Sequence, residues 1–224
     1  MSSDVAGPDG LRERKKRRTR QEISDVATRL FAEHGFEQVT LSQIAEAADV
    51  SVKTIFNHFG SKEDLYFDRA DELRASLVAT ITGRPAGATV LGALRALLVD
   101  NLVPFPGVGW GGLEDPSRYE EFRRFMATQD ASPALRTRRL TLSHELAGPL
   151  AEALAGALRA GTPEAAIRTL AAMLVTALLL RDGTLRAAVA VRAPPRTVRR
   201  RVTAEVDEAF GRLEAAFGDL DDPL

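Results

Sequence analysis

Lys53, Thr54, Asn57 and His58 fall within one short stretch and offer an ammonium, a hydroxyl, an amide and an imidazole. Side chains of these types donate to and accept from nucleobase edges and phosphate oxygens. A second group lies upstream. Arg12, Arg14, Lys15, Lys16, Arg17, Arg18 and Arg20 stand against Glu13 alone, a net +6 over residues 11–20. Dense cationic runs bind phosphates by releasing condensed counterions. Residues 21–62 carry Arg29, Lys53 and Lys62 against six acidic side chains, a net −3. The whole 224-residue chain carries only −1, so its positive charge is segregated rather than in excess. Such a run is ordinarily a solvated face. Its place beside residues 53–58 favours phosphate binding.

The elements that must position this chemistry are legible in residues 40–62. Thr40 with Gln43 three positions on makes a capping box, and Leu41, Ile44, Ala45 and Ala48 follow at helical spacing. Asp49-Val50 supplies a turn, and Ser51 caps a second helix. Val52, Ile55, Phe56 and Phe59 are expected to face inward, leaving Lys53, Thr54, Asn57 and His58 outside. Gly60 is expected to end that helix with a positive φ. Ser61 with Asp64 opens another helix. Ile23, Val26, Ala27, Leu30 and Phe31 predict a preceding helix from about Arg18 to His34, stopped by Gly35. Helix, tight turn, helix is the helix-turn-helix arrangement.

The run from Val50 to Leu65, with Phe56-Asn57-His58-Phe59 followed by Ser61, Lys62 and Leu65, resembles the signature of TetR-family transcriptional regulators. Ala27, Leu30, Phe31, Gly35 and Phe36 match the upstream pattern, so the resemblance covers roughly residues 20–70. Asp49 replaces the usual turn glycine, and aspartate tolerates left-handed backbone better than most residues. Asn57 puts an amide at a base-facing position, so relatives' operator preference does not transfer. The resemblance implies an all-α fold: an N-terminal three-helix helix-turn-helix DNA-binding domain joined to a C-terminal helical ligand-binding and dimerisation domain. With the residues above, it points to DNA contacts at Arg17, Arg18, Arg20, Thr40, Ser51, Lys53, Thr54, Asn57, His58 and Lys62. It also implies an effector cavity in the C-terminal helices, for a small apolar or amphipathic molecule. Phe105, Trp110, Tyr119, Phe122, Met126 and His144 are its candidate lining.

The rest of the chain reads as helices without a further sequence match. The expected organisation is a disordered tail at 1–10, a helix-turn-helix domain with basic arm at 11–65, a ligand-binding and dimerisation domain at 66–218 and an acidic tail at 219–224. A fourth helix is expected from about Lys62 to Ile81, and Gly83–Gly87 breaks the chain. Leu91, Leu94, Leu98 and Leu102 predict a fifth helix, and residues 104–116 a Pro/Gly loop. Tyr119, Phe122, Phe125 and Met126 stripe a sixth. A seventh region, about Pro133–Ala160, should kink at Pro149. Pro163 opens an eighth helix, and the last runs over about Arg196–Phe217.

Leu170–Leu180 is apolar on nearly all sides, and Val202, Val206 and Phe210 stripe the last helix. One subunit covers only part of such a surface, which predicts a homodimer through Leu174, Leu178, Val202, Val206 and Phe210. The leading expectation is therefore a ligand-responsive homodimeric repressor of an inverted-repeat DNA operator. The alternative is a helix-turn-helix protein whose filled C-terminal core serves only dimerisation or protein partners.

Other chemistries find little footing. The chain has no Cys and three scattered His residues, which speaks against a metal site. No nucleophile–base pair or cofactor motif in suitable context suggests an enzyme. Gly107–Gly112 spells G-x-G-x-x-G, but a helical pattern precedes it where a dinucleotide site needs a strand. Without an apolar leader or a run long enough to span a bilayer, the chain is expected in the cytoplasm.

Overall fold

A helix, α1, runs from Pro8 to His34 in the computed structural model, which describes residues 8–68, 70–100 and 110–220. It starts well ahead of the Arg18 expected, so the basic arm is helical. Arg, Lys and Glu are good helix formers, and Arg18 pairs with Glu22 one turn on at 2.8 Å. Gly35 stops the helix with φ of 80°. Three short helices follow: α2 (Leu41–Ala47), α3 (Val52–His58) and α4 (Lys62–Tyr66). None is long enough to hold in isolation. They are held by caps and by a shared core. Thr40 and Gln43 form the expected capping box on α2. Ser51 and Ser61 accept from the backbone N–H groups of Thr54 and Asp64. Asp49 takes the left-handed turn position with φ of 52°.

The core of this unit is Ile23, Ala27 and Phe31 from α1, with Phe36, Ile44, Ile55, Phe59, Leu65 and Tyr66. The rings of Phe31, Phe36 and Tyr66 meet at centroid distances of 5.2, 5.4 and 5.7 Å. Two expectations fail here. Phe56 points out, 53% exposed. Ile55 and Phe59, four apart, already fill the inward side of a two-turn helix. Gly60 is not among the left-handed glycines. The α3 cap is extended at Phe59, with φ of −136°. A Cβ at Gly60 would lie 2.9 Å from Asp64 Oδ2, so the absent side chain makes room for the α4 entry.

The chain divides into two compact units, one of Met1–Asp68 with Thr128–Leu135 and the other of Arg69–Ala127 with Arg136–Leu224. The expected fourth helix is two, α4 and α5 (Ala70–Thr82). Then come α6 (Val90–Asp100), a 3-10 turn at Trp110–Glu114, α7 (Pro116–Ala131), α8 (Pro133–Glu145) and α9 (Ala147–Ala157). The chain closes with α10 (Glu164–Ala190) and α11 (Pro195–Phe217). The seventh region breaks at Leu146 rather than kinking at Pro149. Pro149 falls in the first turn of α9, where the N–H it lacks has no helical acceptor. The second unit buries one cluster around Leu77, Leu91, Leu94, Leu154, Leu170 and Phe210. Another joins Trp110, Leu113, Phe122, Met126, Val198 and Val202. No helix among the described residues is long and apolar enough to cross a membrane.

Candidate nucleic-acid interface

The outward side of α3 presents Lys53, Phe56 and Asn57, all exposed, with Thr54 half-buried. Thr54 is committed locally, its hydroxyl 2.8 Å from Ser51 Oγ. Thr40 and Ser51 are exposed but occupied as caps, so their side chains first serve to start α2 and α3. Arg17 and Arg18 are exposed on α1. The Arg18–Glu22 pair is a surface pair of the kind that contributes little, and it leaves Arg18 available to a phosphate.

Arg20 and Lys62, expected at DNA, both have partners inside the protein. Arg20 Nη1 donates to the carbonyl of His58, its Nη2 pairs with Asp68, and its guanidinium stacks 4.3 Å from the Phe59 ring centroid. One side chain of α1 thereby ties down the end of α3. Lys62 Nζ donates to the carbonyls of Phe36 and Val39 at 2.9 and 3.0 Å and lies 4.1 Å from the Phe36 ring centroid. It closes the loop that leads into α2. His58 is half-buried, and its Nδ1 is buried without a hydrogen bond. Burial, then the charges of Arg20 and Lys16, push its imidazole below the ordinary 6.5. That shift favours the neutral imidazole. Lys53, Phe56 and Asn57 are the exposed residues of α3, and the exposed basic residues Arg12 to Arg18 of α1 belong to the same unit.

In the second unit the expected cavity lining is packed core. Phe122 and Met126 are 0% and 2% exposed and touch Leu113 and Val198 in one apolar cluster. Tyr119 donates its hydroxyl to the Ala193 carbonyl at 2.6 Å, and Trp110 donates its indole N–H to Val99 at 2.8 Å. His144 is exposed on α8, apart from that cluster, and Phe105 lies outside the described residues. An open groove of 640 Å³ does border Trp110, and its other wall is Arg196, Arg199, Arg200 and Thr203 of α11. Arg196 pairs with Glu114 at 3.5 Å, across the groove.

The expected interface residues are also displaced. Leu174, Val202, Val206 and Phe210 are buried within their own unit, and Leu178 is partly buried there. The α11 stripe packs on α10 and the core, so it has no surface to offer a partner. What α10 leaves open is another side of the helix: Met173, Thr176, Leu179 and Leu180 are exposed, Leu180 at 49%. Residue type hid this face and the outward Phe56 alike. Their phase, three and four positions from polar neighbours, was the available signal.

Comparison with known proteins fits the first unit. Residues 23–68 match the family described as bacterial regulatory proteins, tetR family. The HTH-type transcriptional regulator TcmR of Streptomyces glaucescens is 43% identical over 96 residues, covering 41% of this chain and 42% of TcmR. The HTH-type transcriptional repressor AcnR of Corynebacterium efficiens is 35% identical over 102 residues, covering 46% of this chain and 44% of AcnR. The matched segments span less than half the length of either relative. SmeT, the repressor of the Stenotrophomonas maltophilia multidrug efflux pump SmeDEF, shares the fold, with a TM-score of 0.50 at 19% identity. That alignment covers 86% of this chain and 89% of SmeT. The capped α2–α3 pair lies within residues 23–68, the segment that matches the tetR family of bacterial regulatory proteins.

Proposed function

We propose that the chain is a homodimeric transcriptional repressor that reads an inverted-repeat operator and releases it on binding a small molecule. The observation that carries this reading is the α3 surface, Lys53 and Asn57 outward on a helix pinned at both ends, beside a run of net +6. Each subunit inserts α3 into a major groove, and the two-fold axis of the dimer matches that of the operator. The exposed α10 stripe of Met173, Thr176, Leu179 and Leu180 supports pairing, together with the exposed small residues Ala204 and Gly211 of α11. Two such helices against their copies make a four-helix bundle. An obligate interface of that kind buries on the order of 2,000 Å² or more.

For the effector, the groove beside Trp110 suits an amphipathic molecule. Its apolar part would lie near the indole and its negative end on Arg199 and Arg200. SmeT has been solved in a complex with triclosan, a precedent in a protein of this fold. An effector acts only through its different affinities for the DNA-competent and released states. The protein works on chromosomal DNA in the cytoplasm.

Genome-wide recovery of DNA bound to the tagged protein tests the reading. A recurring inverted repeat, bound by a species that sediments as a dimer at micromolar concentration, is the expected result. Recovery of no common sequence, or a monomer on the DNA, would overturn it.

A further inference from the structure

We propose that Phe56 reads a thymine, packing its ring on the 5-methyl group of one thymine in each operator half-site. The inference rests on the DNA-reading role of α3 proposed above. Lys53, Phe56 and Asn57 stand at i, i+3 and i+4 of α3 and so share one face. Phe56 sits in the middle of that face at 53% exposure, while its neighbours Ile55 and Phe59 are at 1% and 3%. The other large apolar side chains described as exposed, Leu140, Met173, Leu179, Leu180 and Val191, all belong to the second unit. Among the described residues, the aromatic contacts of the first unit run through Phe31, Phe36, His58, Phe59, Tyr66 and Phe67 and leave Phe56 out.

A phenyl ring has no donor or acceptor, so it gains nothing from a phosphate oxygen or from the polar edge of a base. The apolar group that the major groove offers is the thymine methyl. Asn57, next in sequence on the same face, has the amide that matches adenine N6 and N7, and Lys53 one turn back carries a charge for guanine or phosphate. A face ordered as ammonium, ring, amide fits a short site in which a thymine adjoins an adenine. The ring remains solvated in the free protein, so the methyl contact is made only on DNA and contributes wholly to binding.

The experiment selects binding sites from random duplex DNA with the full-length protein. Each thymine of the winning site is then replaced in turn by deoxyuridine, which keeps every hydrogen-bonding group and lacks only the methyl. Wild type should lose about three- to tenfold in affinity at one thymine per half-site. Phe56→Ala should bind more weakly overall and show no loss at that position. Phe56→Leu, which keeps an apolar group, should retain part of the discrimination, and it serves if the alanine variant binds too weakly to measure. Thermal melting unchanged in both variants would exclude a folding defect. If wild type binds its selected site but is indifferent to deoxyuridine throughout, or if the loss persists undiminished in Phe56→Ala, the thymine contact is wrong while the DNA-reading role stands. If selection enriches no site at all, the DNA-reading role itself fails and takes the inference with it.

Discussion

Arg20→Met separates a fastener from a phosphate ligand. Methionine preserves most of the stem over Phe59 and removes the guanidinium. Three interactions go with it: the charged donor to the His58 carbonyl, the stack on Phe59 at 4.3 Å, and the pair with Asp68, whose side chain is only 13% exposed. A hydrogen bond from a charged group contributes about 1.5–3 kcal/mol and a cation–π interaction about 0.5–1. The three share one group and are not additive, and Asp68 is left poorly solvated. A loss of roughly 2–4 kcal/mol for the first unit follows. A two-unit chain need not melt in one step, so amide hydrogen exchange in α1 to α3 is the assay. DNA affinity should fall with it, but the slope of log affinity on log salt should stay put, because Arg20 neutralises no phosphate. Were Arg20 a phosphate ligand, its removal would reduce that slope by about 0.9. Exchange protection unchanged within ~0.5 kcal/mol, with the slope reduced by about one, would refute the fastener and restore the role expected from sequence.

Three further outcomes follow from the same packing. The folded-state value of His58 lies below its ordinary 6.5, so the unfolded chain takes up the proton first; first-unit stability should hold above pH 7 and fall as pH drops through 6.5, by exchange or melting, and His58→Asn should flatten that fall. Phe122→Ala, at a site 0% exposed in a close-packed cluster, should cost about 3–5 kcal/mol by urea denaturation, rather than silently emptying a ligand pocket. Leu180→Asp should convert the proposed dimer to a folded monomer by sedimentation and abolish operator binding, since the side chain is 49% exposed and outside its own core; an intact dimer would place the interface elsewhere.

What the sequence disclosed and what it hid divide along a physical line. Local features were legible. Thr40 with Gln43, Ser51 with Thr54, Gly35 after His34 and Asp49 at the turn each rest on backbone chemistry within four residues, and each has its expected conformation. The helix starts at Pro133 and after Pro163 were legible for the same reason, whereas the start at Pro8 and the break before Pro149 were not. Long-range partners were not. Arg20 and Lys62 read as cations near a DNA-binding motif, but they meet carbonyls 38 and 26 positions away. No spacing rule announces a charge that caps a distant chain end. The apolar stripes misled in the opposite direction. Val202, Val206 and Phe210 were visible as a buried face, but periodicity does not say whether the cover is the same chain or a copy.

The two fasteners also explain how a helix as short as α3 could serve as the proposed reading head. Seven residues have no helical stability of their own, so their orientation is set from outside. At the start, Ser51 caps the backbone after a left-handed turn at Asp49. At the end, Arg20 holds the His58 carbonyl that the helix itself leaves unpaired. From below, Ile55 and Phe59 sink into the α1 core. Lys62 fixes the segment ahead of α2 by binding two loop carbonyls. These cations stabilise the head through partners inside the protein. The long-range field is left to Arg12, Arg14, Lys15, Lys16, Arg17 and Arg18 on the exposed turns of α1. The division matters for salt dependence. Attraction that comes from exposed side chains is screened, whereas the shape that discriminates sequences is held by part-buried contacts that salt scarcely touches. Raising salt should therefore weaken binding to random and cognate DNA together, while the base preference proposed for Lys53, Phe56 and Asn57 persists.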